Sequence, residues 1–137
     1  MSDPKQVALD FMAALWAGNL DAASELLTDD ATWVFQLGMP YARDGRVWNA
    51  REAMRRIVAD LFTAFDPEKS FNVEVLSAIA EGSEVAIEYT ALGTTAAGKA
   101  YRNYYVARLT VRGALVQELR PYNDTKHMYE ALGIEPQ

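Results

Sequence analysis

The chain has 137 residues, of which 50% are hydrophobic and 23% are charged, and this balance predicts one folded domain over residues 1–137. It contains no cysteine and one histidine, which excludes disulfide frameworks, thiol catalysis, and cysteine-based or multi-histidine metal sites. The formal net charge of -6 disfavours nucleic acids and anionic membranes as partners, because both bind positive surfaces.

The N-terminal sequence MSDPKQVALDF lacks the basic region and apolar run of a signal peptide. No segment approaches the roughly 20 apolar residues that a membrane span needs. We therefore expect a cytoplasmic protein that has no membrane partner.

The first part of the chain predicts two helices and a strand. Residues 4–17 place apolar side chains at helical spacing, and Asp3 suits the N-cap. A shorter helix is predicted over residues 20–27. The pair Asp29-Asp30 is expected to end it, and the β-forming run ATWVFQL, residues 31–37, predicts a strand.

The apolar pattern changes its period in the middle of the chain. After an irregular segment over residues 38–48, a third helix is predicted from Asn49 to Phe65. From Ser70 onward the period is two, and glycine-containing turns separate four strands of a meander. A last helix follows over residues 124–132. This order predicts an α+β fold, in which a curved antiparallel sheet packs on three helices and encloses a pocket.

Four polar residues near the end of the last strand share one face by the period of two: Glu118, Arg120, Tyr122 and Asp124. A buried carboxylate on this face would be paired, hydrogen-bonded or protonated, and each state would tune it for acid–base work. Asp124 also stands where the last helix needs an N-cap. The sequence leaves the capping and the catalytic interpretations open.

Other charged residues also have two interpretations. Glu88 and Arg120 could pair across strands, although an exposed ion pair of little energetic value is the simpler account. His127 could pair with Asp124 as a base or be a histidine on the helix surface. Five arginines between residues 43 and 56 indicate either a phosphate-binding mouth or, more simply, a solvated polar face.

Three segments resemble one protein family. The run DFMAALWAGNLDAASELLTDDATWVFQLG resembles the opening of ketosteroid-isomerase and SnoaL-like proteins, in the nuclear-transport-factor-two-like superfamily. GRVWNAREAMRRIV is similar to their entry into the third helix, and LVQELRPYNDTKHMYEALG resembles the SnoaL-like ending. The resemblance implies a cone-shaped sheet closed by helices around a deep pocket, commonly in a homodimer.

The resemblance also tests individual positions. The base and the tyrosine of ketosteroid isomerases correspond to Phe35 and Phe11, which cannot perform their chemistry. Two catalytic positions of epoxide-hydrolase relatives correspond to Glu88 and Thr90, so that triad is broken. Asp124 matches the acid–base aspartate of SnoaL-type polyketide cyclases, which stands at a fixed distance before the closing Leu-Gly.

The resemblance therefore implies a cofactor-free and metal-free acid–base enzyme of cyclase, isomerase or dehydratase type, with Asp124 as the proton-transfer group and a small apolar carbonyl or polycyclic compound as substrate. The candidate residues of the ligand pocket are Trp33, Phe35, Trp48, Glu88, Asn103, Tyr105, Arg120, Tyr122 and His127. The alternatives are a non-catalytic binding module and a dimeric scaffold that acts through Tyr104, Val106 and Leu119 on the sheet exterior.

Overall fold

The computed structural model describes residues 3–134 of the chain. Its helices are α1 (Pro4–Trp16), α2 (Leu20–Glu25), α3 (Ala50–Ala64) and α4 (Thr125–Leu132), with a short 3₁₀ helix over Pro40–Asp44. Its strands are β1 (Leu27–Val34), β2 (Val47–Asn49), β3 (Asn72–Glu81), β4 (Glu84–Thr94), β5 (Ala100–Arg112) and β6 (Leu115–Asn123).

The helices begin and end at the signals that the sequence predicts. Asp3 caps α1 by accepting a hydrogen bond from the Lys5 N–H at 3.1 Å, and proline occupies the first turn. Asn49 caps α3 by accepting from the Glu52 N–H at 3.1 Å. Gly133 ends α4 in the left-handed conformation, with φ of 68°.

The six strands form one open sheet in the order β2-β1-β6-β5-β4-β3. The last four strands pair antiparallel as hairpin neighbours, which confirms the predicted meander. The exception to the antiparallel prediction is the β1–β6 pair, which is parallel. These two strands are far apart in sequence, and the chain between them is long enough to return in the parallel direction.

The prediction for β1 was wrong at its start. The strand was predicted to start at Ala31, but it begins at Leu27 and includes Asp29 and Asp30, which were expected to end the preceding helix. They remain exposed, and Asp30 accepts hydrogen bonds from the Thr28 hydroxyl at 2.8 Å and from Arg112 at 3.1 Å. Because these partners satisfy the carboxylate at the surface, the strand tolerates it.

One face of the sheet, here called the inner face, packs against the helices. Register shifts in β3 and between Thr110 and Val111 of β5 bend the strands around this layer. Large buried side chains of the core come from α1, α3 and the inner face: Phe11, Met12, Met54, Ile87, Leu109 and Leu119. Leu119 is only 1% exposed, so its prediction as an exterior residue was wrong, because it stands opposite the buried Leu109 and alternates along β6 with the outward-facing Arg120.

A second apolar cluster closes one end of the sheet. In it, Met128 and Tyr129 of α4 pack with Phe65 and Tyr101. The last helix therefore covers the part of β5 where the candidate site lies.

Among residues 3–134, no helix has the length and apolar character needed to cross a bilayer.

Candidate functional site

A polar network occupies the inner face beneath α4. Tyr101, Asn103 and Tyr105 alternate along β5, so all three side chains point inward. The Tyr101 and Tyr105 hydroxyls are 2.6 Å apart, and the Asn103 amide donates to the Tyr101 hydroxyl at 2.8 Å. Asn123 stands opposite Tyr105 in the β5–β6 register, so its side chain lies on the same face, and its amide nitrogen lies 3.6 Å from the Met128 sulfur. These four residues are called the inner-face network below.

Burial controls the protonation of this network. It is the main cause that raises the pKa values of Tyr101 and Tyr105 above the ordinary tyrosine value. The same cause raises the pKa of Tyr89, whose ring stacks on Tyr105 with centroids 5.0 Å apart. The phenols, which are neutral near pH 7 like any tyrosine, thus stay neutral to a higher pH, and the phenol proton not used between Tyr101 and Tyr105 can be donated to a carbonyl or enolate oxygen.

Two buried polar atoms have no hydrogen-bond partner within the described residues: the indole nitrogen Nε1 of Trp33 and the amide oxygen Oδ1 of Asn123. Trp33 is only 4% exposed. Leaving such groups unpaired costs about 1–3 kcal/mol each. The inner layer thus retains one free donor and one free acceptor, which a core built only for stability does not need.

An aromatic cluster adjoins Trp33. The Phe35 ring centroid lies 5.8 Å from that of Trp33, 5.0 Å from that of Tyr41 and 5.5 Å from that of Trp48. Tyr41 donates a short hydrogen bond to the Asp60 carboxylate of α3. The structure therefore brings Trp33, Phe35 and Trp48 together in one aromatic cluster of the core, and their role in a ligand pocket stays a prediction.

Asp124 is exposed at the N-cap of α4. Its Oδ1 accepts a hydrogen bond from the His127 backbone N–H at 3.2 Å. Its backbone carbonyl accepts from the Asn103 amide at 3.2 Å, which connects the helix start to the inner-face network. The structure thus shows the capping role of Asp124, and its role in proton transfer stays a prediction.

The cap makes a stability prediction. We expect Asp124→Ala to lower the free energy of unfolding by about 1 kcal/mol, whereas Asp124→Asn should be nearly neutral because asparagine caps equally well. Urea titration of both variants measures this difference. Equal losses in the two variants would show that the carboxylate charge, rather than the cap, stabilises α4.

His127 does not form the base that its spacing allowed. Its ring stacks on Tyr101 with centroids 5.2 Å apart, and its Nε2 accepts from the Arg102 N–H at 3.2 Å. The Asp124 carboxylate contacts the backbone of His127 rather than its imidazole. Within residues 3–134, no three potential metal ligands lie close together.

Three predicted pocket residues lie on the outer face of the sheet, away from the helices. Glu88 and Tyr122 both flank Val106 in the strand register, and Arg120 stands opposite Arg108. Arg120 donates to Glu118 at 2.5 Å, and the Glu88–Arg120 pair that the sequence allowed does not form. The period of two correctly placed Arg120 and Tyr122 on one face, but it could not tell which face was inside.

The arginine-rich segment is a solvated polar face only in part. Arg51 is half-buried and donates to Ser24 Oγ at 2.7 Å and to the carbonyls of Ser24, Leu27 and Thr28 at 2.8, 3.1 and 2.9 Å. Arg46 donates to the Phe35 carbonyl at 2.9 Å. Sequence reasoning missed these roles, because the acceptors of Arg51 are backbone carbonyls 23–27 residues away, which leave no local motif.

Known proteins share this architecture. TerC, co-crystallised with polyporic acid, has 17% identity and a TM-score of 0.80, and the match covers 96% of this chain and 99% of that one. A protein with a ketosteroid isomerase-like fold from Catenulispora acidiphila, in complex with trimethylamine, has 19% identity, a TM-score of 0.72 and coverages of 94% and 93%. A putative SnoaL-like polyketide cyclase from Jannaschia has 18% identity, a TM-score of 0.74 and coverages of 99% and 98%.

These identities establish the fold alone. Among curated proteins, none matches the sequence of this chain. The family model of the SnoaL-like domain matches residues 8–119, which is most of the chain. The chain therefore belongs to the SnoaL-like domain family, with the NTF2-like fold of its structural neighbours.

Proposed function

We propose that this protein binds a small, mainly apolar compound that carries a carbonyl or hydroxyl oxygen, against the inner-face network. The supporting observation is the burial of two phenol hydroxyls and an amide among aromatic rings. These three groups are paired with one another, but Trp33 Nε1 and Asn123 Oδ1 have no partner within the described residues. An unpaired buried polar atom lowers stability, so its presence beside this network supports ligand recognition.

The donors and acceptors define the ligand chemistry. Tyr101 and Tyr105 are protonated at neutral pH, and burial raises their pKa values further above the ordinary tyrosine value. Their mutual hydrogen bond uses one of the two phenol protons, so the other can be donated to a ligand oxygen. Trp33 Nε1 offers a further donor, and Asn123 Oδ1 offers an acceptor. The structure of TerC contains polyporic acid and that of the Catenulispora protein contains trimethylamine, so this fold can accept small molecules.

Polyporic acid is the first probe for this site. We expect it to quench tryptophan fluorescence, and Tyr105→Phe to weaken its binding about 5–20-fold through loss of one buried hydrogen bond. Tyr104→Phe is the matched control, because Tyr104 is the next residue on β5 and is 51% exposed on the outer face. Equal affinities of the two variants would contradict binding at the network.

Acid–base catalysis by Asp124, without a cofactor, is the second candidate function. The observation that favours it is the hydrogen bond from Asn103 to the Asp124 carbonyl, which holds this residue at the end of the network. On a carbonyl substrate of cyclase, isomerase or dehydratase type, we expect Asp124→Asn to lower turnover about 10²–10⁴-fold. Because asparagine preserves the helix cap, unchanged turnover in a folded variant would rule out this role.

A second copy of the chain is the partner that we propose for the outer face. Four apolar side chains are exposed there: Ile79 at 67%, Tyr104 at 51%, Tyr122 at 42% and Val106 at 40%. We expect the wild type to sediment as a homodimer and Val106→Arg as a monomer, because the charge would be buried unpaired. Val47→Arg, at an exposed position on β2, is the control, and a monomeric wild type would contradict the proposal.

A cytoplasmic location stays a prediction of the sequence.

A further inference from the structure

A groove of about 750 Å³ lies outside the proposed site, between the segment after β1 and helix α4. It is lined by residues 37–39, 42–43, 125–126, 129–130 and 134, and it is called the rim groove below. Its volume matches that of small-molecule sites, which are commonly 300–1,000 Å³.

The walls of the rim groove are held in place by one contact. The Tyr129 hydroxyl of α4 donates to the Gly38 carbonyl at 2.6 Å, which joins the two walls. The Tyr129 ring is buried in the cluster that contains Tyr101. The groove is therefore preformed, and Tyr129 forms a wall between it and the inner-face network.

Exposed apolar side chains line the rim groove. Leu37 is 78% exposed, and Ile134 on the opposite wall is 39% exposed. Met39 and Ala42 add further apolar surface. A ligand that covers these side chains would gain about 25 cal/mol for each Å² of apolar surface removed from water.

Two cations also line the groove. Arg43 comes from the 3₁₀ helix and Lys126 from α4, and neither belongs to an ion pair among residues 3–134. Glu130 is the single carboxylate in the lining, whereas Asp44 and Asp124 flank the cations in sequence without lining the groove. The lining is thus net positive in a chain whose formal net charge is -6.

We propose that the rim groove is a second binding site, which takes a small amphipathic anion with an apolar body and one carboxylate or sulfonate. The apolar body covers Leu37 and Ile134, and the anionic group lies between Arg43 and Lys126. This site is separate from the inner-face network, so it does not depend on the function proposed above.

The probe for this site is 1-anilinonaphthalene-8-sulfonate, a fluorescent aromatic sulfonate. We expect Arg43→Gln and Lys126→Gln each to weaken its binding about three- to fivefold, and high salt to weaken binding to the wild type. Arg55→Gln is the charge-matched control, because Arg55 is an exposed residue of α3 outside the groove. N-phenyl-1-naphthylamine, which keeps the aromatic rings without the sulfonate, should bind all four proteins equally.

A second pair of variants tests the apolar wall. We expect Leu37→Ser to weaken sulfonate binding about fivefold. Val47→Ser, at a similarly exposed position on β2, should leave sulfonate binding unchanged. Amide chemical shifts should move at Leu37, Thr125 and Ile134. Tyr105→Phe should bind the sulfonate as the wild type does, which separates this test from that of the inner-face network. Equal affinities of Arg43→Gln, Lys126→Gln and Arg55→Gln, or shifts confined to the interior, would overturn the proposal.

Discussion

Replacing Arg51 with alanine is expected to lower the free energy of unfolding by about 3 kcal/mol. The guanidinium holds α2, β1 and α3 together through four hydrogen bonds, three of which go to backbone carbonyls. Its removal takes one donor from each of these carbonyls, two of which belong to the buried residues Leu27 and Thr28. Urea titration measures the loss as a lower midpoint with an unchanged slope.

Two further variants make the Arg51 prediction specific. Arg51→Lys should lose about half as much stability, because one ammonium group cannot reproduce the planar fork of the guanidinium. Arg55→Ala, at an exposed position on the same helix, should change stability by less than about 0.5 kcal/mol. A similar urea midpoint for Arg51→Ala and Arg55→Ala would show that the hydrogen bonds of Arg51 make no net contribution to the stability of the fold.

Raising the pH above 10 is expected to unfold the protein through its buried tyrosines. Burial raises the pKa values of Tyr89, Tyr101 and Tyr105 in the folded state, whereas the unfolded chain loses these protons near pH 10. The contribution of the protonated tyrosines to the free energy of unfolding is therefore complete below about pH 10. This contribution is lost as the pH rises, by up to about 1.4 kcal/mol per pH unit for each tyrosine.

Urea midpoints between pH 9 and pH 12 measure this loss. Tyr101→Phe removes one titrating group, so its midpoint should fall less steeply with pH than that of the wild type. Parallel curves would show that Tyr101 titrates in the folded protein as it does in the unfolded chain, and that the hydroxyl is open to water. The comparison between the variants cancels the titration of lysines, which both proteins share.

The sequence predicts most of the fold because its signals are local. Period-3.6 and period-two patterns defined the helices and the meander, and Asp3, Asn49 and Gly133 marked helix ends. The start of β1 was missed because two surface acids resemble a helix-ending turn. In the strand, Asp30 pairs with Arg112, which is 82 residues away and therefore leaves no local signal.

The candidate site is less predictable, because faces and registers depend on distant pairing. Asn103 and Tyr105 were named as candidate pocket residues, but only the β5 pairing shows that they face the helices. The same pairing placed Glu88, Arg120 and Tyr122 on the outer face. Tyr101 and Asn123 were not among the candidate pocket residues, because their part in the network arises from contacts between β5, β6 and α4.

A crystal structure of the protein with polyporic acid tests the central claim most directly. We predict that one ligand oxygen lies within hydrogen-bond distance of the Tyr105 hydroxyl and that the ligand covers the unpaired Trp33 Nε1. A ligand found only in the rim groove or on the outer face, with the inner-face network unchanged, would contradict the claim.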